Sequence, residues 1–325
     1  VIAAIPHQIS EVAVPFRPAI ELIVRRADVA ECSHIVHAAV SNADGSHIDG
    51  FGDPHLVTTL RSSGKPLQLA PVFTLPSDPS FHLNTEEIAI CCASHPGTPR
   101  HAALAASVLS LSGFLPDNLV CGPPPEHPSP LVHGCSGNHA ALLLLAKRLG
   151  ADLDTYEQPD NPAQQHILEL LQEMSGCTNV LIAIDGCGVP TFGMPLSNMA
   201  RAFANLIRPG APWAPIPDAM AQHSDLLGPI ERIDGCLIRA TSGRLIAKTG
   251  AEGLLCIANR ENGLAAAVKI ADGNSRAIGL AAVTVVSNLG WLTAEELDHD
   301  ELRHHRKPIL QPAPNGIACW LEPKY

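Results

Sequence analysis

The stretch "CLIRATSGRLIAKTGAEGLLCIANRENGLAAAVKIADG" at 236–273 decides the fold class. Its apolar, β-rich runs are broken at Ser242-Gly243 and Asn262-Gly263. Such dipeptides suit tight turns, so the spacing predicts antiparallel hairpins. The apolar run "SRAIGLAAVTVVSNLGWL" that follows predicts a helix. Near the start, "IELIVRR" and "SHIVHAAVSN" read as strands, with a turn at Asp44-Gly45. Strands, then helices, then strands again indicate an α+β fold, an antiparallel sheet with packed helices.

The middle of the chain, about 85–207, reads as mainly helical. Asn84 with Glu87 three residues on forms a capping-box pattern. Thr98 and Pro99 open a second helix that Gly113 stops. "HAALLLLAKRLG" ends at Gly150, Asn161-Pro162 opens another helix, and "PLSNMARAFANLI" reads as one more. "CGPPPEHPSP" at 121–130 is too proline-rich for either regular element. "RPGAPWAPIP" at 208–217 is expected to be a loop and a boundary between two lobes.

Composition bounds the function. The chain is 325 residues long, 46% hydrophobic and 16% charged, which is ample for a core. With 21 Lys+Arg against 32 Asp+Glu the net charge is −11, and no basic stripe interrupts it. A nucleic-acid partner is therefore not expected. No apolar run reaches the roughly 18 residues of a membrane span. The opening "VIAAIPHQIS EVAVPF" lacks a basic leader segment, so a soluble, cytoplasmic protein is expected. None of the ten cysteines forms a C-x-x-C pair, and most lie in apolar contexts. That usage fits a reducing compartment.

Three short motifs carry the chemistry. In "RSSGK", Ser62 and Lys65 stand three apart, which on a helix puts the amine within reach of the hydroxyl. To take the serine's proton the lysine must be neutral. Pro71 predicts an early break in that helix. "VHGCSGNHA" at 132–140 supplies Ser136-Gly137-Asn138, and Lys248-Thr249-Gly250 sits on a predicted strand. S-x-x-K, S-x-N and K-T-G in this order resemble the pattern of penicillin-recognising enzymes. "CCASHPGTPRH" adds Ser94 in a loop between two helices. "AIDGCGVP" puts Asp185 and Cys187 in a glycine-rich turn.

Taken together, "GDPHLVTTLRSSGKPLQ", "CASHPGTPRHAA", "PSPLVHGCSGNHA", "IDGCGVPTFGMPLSNMARAFA", "LIAKTGAEG" and "VKIADG" resemble the rhizobial-type L-asparaginases, the asparaginase II family. The resemblance runs in family order from about residue 20 to 282. It implies a fold similar to serine β-lactamases and glutaminases, with residues 1–325 as one catalytic unit. It also implies two Ser–Lys pairs, Ser62 with Lys65 and Ser94 with Lys248, and hydrolysis of L-asparagine to aspartate and ammonia through an acyl-enzyme. Ser62 is preferred as nucleophile, with Lys65 as its base and Ser94 as relay. Ser136, Asn138 and Asp185 are read as the substrate side. The family's zinc, held by two cysteines and a lysine, would fall on Cys135, Cys187 and position 138. Asn138 replaces that lysine, so no cofactor is required by this reading and zinc is doubtful. A homodimer is expected by the same resemblance. The alternatives are a same-fold amidase preferring glutamine or a β-lactam, and a silent ligand- or zinc-binding member.

Overall fold

The computed structural model describes residues 17–313 and 316–324. The opening stretch read above for a leader lies outside the described residues. Strands β1 (Ile20–Arg26), β2 (Val29–Ser41), β3 (His47–Phe51) and β4 (Val57–Thr59) lead into helices α1 (Lys65–Leu69), α2 (Thr85–Cys91), α3 (Pro99–Ser112), α4 (Ser136–Arg148) and α5 (Pro162–Ser175). The hairpin β5 (Leu181–Ile184) and β6 (Pro190–Pro195) precedes α6 (Leu196–Leu206), α7 (Pro215–Gln222) and α8 (Ile233–Ala240). Then come β7 (Leu245–Thr249), β8 (Leu254–Asn259) and β9 (Leu264–Ile270). Helices α9 (Ile278–Asn288), α10 (Ala294–Leu297) and α11 (Asp300–Arg306), with strands β10 (Ile309–Ala313) and β11 (Gly316–Pro323), complete the described chain.

The large sheet runs β10-β11-β1-β2-β9-β8-β7, with β3 also on β2, and all its strand pairs are antiparallel. A small sheet, β4-β6-β5, stands apart. The fold is α+β, as the sequence pattern predicts. Strand alternation explains the layers. Leu254, Cys256 and Ala258 of β8 face one core, which they share with α2, α4, α5 and α6. Leu255 and Ile257 face a second core under α8, α9 and α11. Side chains of a strand alternate faces, so a strand buried on both sides reads as continuously apolar. The same parity aims Lys248, two residues beyond Ile246, at the first core.

One expectation is corrected. Residues 233–240 form α8 rather than a hairpin arm. Ile233, Cys236, Leu237 and Ala240 recur at helical spacing, with Asp234 in the first turn and Arg239 in the last. The turn at Ser242 and Gly243, both at positive φ, joins α8 to β7 instead. The segment 208–217 is a loop as far as Ala214, anchored by buried Trp213, whose indole donates to the Asn205 carbonyl at 3.0 Å, and Pro215 starts α7. Local signals elsewhere are realised. Asn84 and Glu87 make both bonds of the capping box, and the chain passes from α1 into a 3-10 turn at Ala70–Phe73 around Pro71. Among the described residues no helix is long and apolar enough to cross a membrane.

Candidate active site

Arg61–Gly64 forms a single 3-10 turn that runs straight into α1. Its first residue, Arg61, has φ 47, a left-handed conformation that costs a non-glycine residue energy and tends to cluster at functional sites. Two contacts hold it there. Its N–H donates to Thr191 Oγ1 at 2.9 Å, and its guanidinium pairs with Asp185 at 2.8 Å. Ser62 follows, half-buried, with no side-chain hydrogen bond among the described residues. Gly250, closing β7, lets that strand approach the turn: a Cβ there would lie 2.5 Å from Ser63 Oγ and 2.8 Å from the Leu60 carbonyl. Gly137 does the same for α4, where a Cβ would meet the Ile90 carbonyl at 2.3 Å.

These approaches converge on Ser94. Lys65 Nζ donates to Ser94 Oγ at 3.0 Å and to the Ala93 carbonyl at 2.6 Å, and lies 3.3 Å from the Cys135 sulfur. Lys248 Nζ is 3.4 Å from the same hydroxyl. Both lysines are buried. Lys65 hydrogen-bonds to Ser94, so a chain Lys65–Ser94–Lys248 links the lysine of one expected pair to the serine and lysine of the other. Burial, reinforced by the Arg232 charge, pushes the Lys248 amine well below its ordinary pKa.

Behind Lys248 stands Asp234, 1% exposed and 3.8 Å away. Its carboxylate accepts two bonds from Arg232 at 2.8 Å each and one from the Thr249 N–H at 3.0 Å. Burial opposes its charge, but Arg232 and Lys248 outweigh burial and hold its pKa down at about 2. Arg232 also donates to the Ser94 carbonyl at 2.9 Å, so one cation holds both Asp234 and the serine. Sequence reasoning missed Arg61, Arg232 and Asp234. The one available signal was a lone aspartate in an otherwise apolar helix, "IDGCLI".

The "VHGCSGNHA" wall differs from its expected use. Ser136 is fully buried at the start of α4, its hydroxyl donating to the Leu131 carbonyl at 2.8 Å. His95 takes the other side at 3.1 Å. Burial, with His101 and Lys65 nearby, pushes the His95 imidazole down to about 3, so it is neutral. Its Nδ1 accepts from the Gly97 N–H, which leaves Nε2–H to donate to Ser136. Asn138 is also buried, with its amide donating to Gln68 Oε1 at 3.2 Å and its Oδ1 unpartnered among the described residues. Both residues expected on the substrate side are thus buried. Asp185, by contrast, is half-buried, with one carboxylate oxygen engaged by Arg61, which precedes Ser62, and by the Gly186 N–H.

Cys135 and Cys187 do come together. Their thiols hydrogen-bond, which lowers the Cys135 pKa and raises that of Cys187, and the Lys65 charge lowers Cys135 further. The pair does not fit the family's zinc. Among the described residues no group of three His, Cys, Asp or Glu is placed to hold a metal. Position 138 offers a carboxamide whose nitrogen is already committed to Gln68, and the nearest free amine, Lys65, is bonded to Ser94. A closed zinc site requires four donors of thiolate, imidazole or carboxylate type.

An antiparallel sheet between helical layers, with a serine hydroxyl between two lysine amines at the sheet edge, defines the class: an α+β amidohydrolase. The model of the L-asparaginase II family matches residues 22–314, and the chain belongs to that family. No curated protein is detectably similar in sequence. A β-lactamase from Mycobacterium bovis aligns over 78% of this chain and 94% of its own, at 14% identity and a TM-score of 0.41. A chain described as a β-lactamase from Bacteroides dorei aligns over 84% and 94%, at 13% identity and a TM-score of 0.38. So distant a likeness carries no functional weight.

Proposed function

We propose that the protein hydrolyses L-asparagine to L-aspartate and ammonia through an acyl-enzyme on Ser62. One observation carries the chemistry: the Ser94 hydroxyl lies between the Lys65 and Lys248 amines. Burial favours the neutral form of Lys248, so its amine is the end free to accept a proton, with Asp234 3.8 Å away to stabilise the ammonium that results. A Lys65 proton passes through the Ser94 hydroxyl to Lys248, where Asp234 stands against the new charge. Neutral Lys65 then takes the Ser62 proton, and Ser62 Oγ attacks the side-chain carbonyl carbon.

The tetrahedral intermediate collapses as the C–N bond breaks, and the proton returns along the same chain to the departing nitrogen. Ammonia leaves, and water cleaves the ester to release aspartate and restore Ser62. Efficient proton transfer of this kind is worth about 10²–10⁴-fold in rate. Asp185 supplies the carboxylate that receives the substrate α-ammonium, and Arg61 the cation for its α-carboxylate. Glutamine is one methylene longer, a difference of about 1–3 kcal/mol, so it is a slower substrate rather than an excluded one.

Ammonia release from L-asparagine, with intact-mass analysis after brief substrate exposure, tests this. The wild-type chain should gain the mass of an aspartyl ester, and Ser62→Ala should neither gain it nor release ammonia. An adduct retained in Ser62→Ala but lost in Ser94→Ala would transfer the nucleophile's role to Ser94. No ammonia from the folded wild-type chain would end the asparaginase reading.

A further inference from the structure

Cys135 and Cys187 lie in contact beside Lys65, yet no step of the proposed reaction uses them. All ten cysteines are free, and among the described residues no third His, Cys, Asp or Glu joins this pair to hold a metal. What remains is the chemistry that two thiols in contact can do by themselves.

The two sulfurs differ in access. Cys135 is half-buried at the start of α4, with Lys65 Nζ 3.3 Å from its sulfur. Cys187 is only 8% exposed and reaches Cys135 from the turn between β5 and β6. A thiol open to solvent beside a cation, backed by a second thiol, is the arrangement in which a first oxidation is followed by disulfide closure.

Closure needs movement, because the sulfurs must draw in from hydrogen-bond contact to a bond of about 2.05 Å. The two sides are unequal in this respect. The α4 side is pinned, since Gly137 packs so closely that a Cβ would meet the Ile90 carbonyl at 2.3 Å. The other side is free. Gly186 and Gly188 flank Cys187, and Gly188 has φ 95. A Cβ at Gly186 would meet nothing within 4 Å, and one at Gly188 only Val120 Cγ2 at 3.9 Å. The Gly-Cys-Gly turn therefore has both the backbone freedom and the space to swing toward α4.

We propose that Cys135 and Cys187 are a peroxide-oxidisable dithiol whose disulfide ties the Asp185 turn to α4. The Cys135 sulfur attacks one oxygen of hydrogen peroxide and the O–O bond breaks. Cys135 becomes a sulfenic acid, and the departing hydroxide leaves as water with the thiol's proton. The Cys187 sulfur then attacks the Cys135 sulfur, the S–O bond breaks, and the Cys187 proton leaves with the hydroxyl as a second water. The two thiols lose two electrons, and the peroxide is reduced to two waters.

Asp185 stands two residues before Cys187, and Arg61 holds its carboxylate at 2.8 Å. Drawing the turn toward α4 displaces that carboxylate. The consequence for binding rests on the asparaginase reading, in which Asp185 receives the substrate α-ammonium: oxidation should raise KM for L-asparagine several-fold, reversibly.

Brief hydrogen peroxide treatment of the full chain, alkylation of the remaining thiols and peptide mapping test the pair without reference to activity. The wild-type chain should lose two hydrogens and yield a Cys135–Cys187 cross-linked peptide that dithiothreitol separates. Cys187→Ser should give no cross-link and instead carry added oxygen on Cys135. No cross-link in the wild-type chain, or one joining Cys135 to half-buried Cys121, overturns the proposal. Ammonia assays before oxidation, after it and after dithiothreitol then read KM. A mapped disulfide with KM unchanged would overturn the tie to the Asp185 turn. A reduced chain that releases no ammonia would end the asparaginase reading, while the mapped peptide still decides the dithiol.

Discussion

Lys65 stands between two regions of opposite character. On one side, Ser94, Lys248, Asp234 and Arg232 form a buried polar cluster in which each charge faces a counter-charge or a hydrogen bond. On the other, Cys135, Asn138, His139 and Cys187 form a wall with loose ends, since Asn138 Oδ1 and His139 Nε2 are buried without partners among the described residues. A buried polar network is stable only when satisfied throughout, and each orphan atom costs about 1–3 kcal/mol. The paired side is built to hold one geometry; the wall keeps polar groups that its own residues do not use.

The largest effect should come from breaking the paired side at Asp234. Asp234→Ala leaves buried Lys248 and half-buried Arg232 without their anion, a loss of about 3–5 kcal/mol in urea unfolding at pH 7. The sign with pH follows from the lowered carboxyl. Its contribution is fully present above the unfolded pKa, near 4, and is lost as pH falls through the folded value of about 2. The gap between wild type and variant should therefore narrow by about 2–3 kcal/mol between pH 4 and 2. A gap undiminished at pH 2 would show that packing, not charge, sets the cost.

Next in size is Lys248→Met, which keeps the volume and removes the amine. A loss of about 10²–10⁴-fold in kcat is expected, with unfolding still cooperative. Because the neutral amine is the working form and burial lowers its pKa, wild-type kcat should climb with pH and level off well below the ordinary lysine range. A profile that climbs only near the ordinary lysine range would remove Lys248 as proton sink.

How much of this was legible beforehand depended on range. Local signals were readable because their partners lie within a few residues: the capping box at Asn84, the helix stop at Gly113, the break at Pro71. Alternation placed Lys248 on a strand, and the resemblance supplied its pairing with Ser94. The region 233–240 was misread because its β-rich composition hid a helical spacing. Spacing along the chain brings Lys65 to Ser62, whereas its hydrogen bond to Ser94, 29 residues away, is made only by the fold. Arg61's left-handed backbone and Asp234's burial depend on Thr191, Asp185 and Arg232, contacts that no window of sequence contains. Ser136 looked reactive in sequence and is spent on Leu131 and His95.

On the wall, the Cys135–Cys187 hydrogen bond and the Lys65 charge leave Cys135 as a thiolate at pH values where ordinary thiols are protonated. Iodoacetamide at pH 6 should label Cys135 before buried Cys91, Cys92 or Cys256, whose thiols burial pushes up. Peptide mapping after brief exposure checks this. Labelling should drop several-fold in Cys187→Ala, which removes the hydrogen bond to the thiolate.

The smallest expected effect concerns metal. With two thiols and a committed carboxamide, the wild-type wall lacks the donors for a closed zinc site, so a chelator should leave ammonia release unchanged. Asn138→Lys restores the donor that the family resemblance assigns to this position and frees Gln68 from Asn138. It should take up zinc measurable by elemental analysis, and the bound metal should raise Tm by linkage, since only the folded wall gathers the donors. A wild-type chain that already carries one zinc per molecule and loses activity on chelation would mean that Asn138 Oδ1 or a water completes the site. The unpartnered oxygen would then be the mark of a ligand, and the contrast between the two regions would reverse: the wall, not the lysine cluster, would be the side completed from outside the chain.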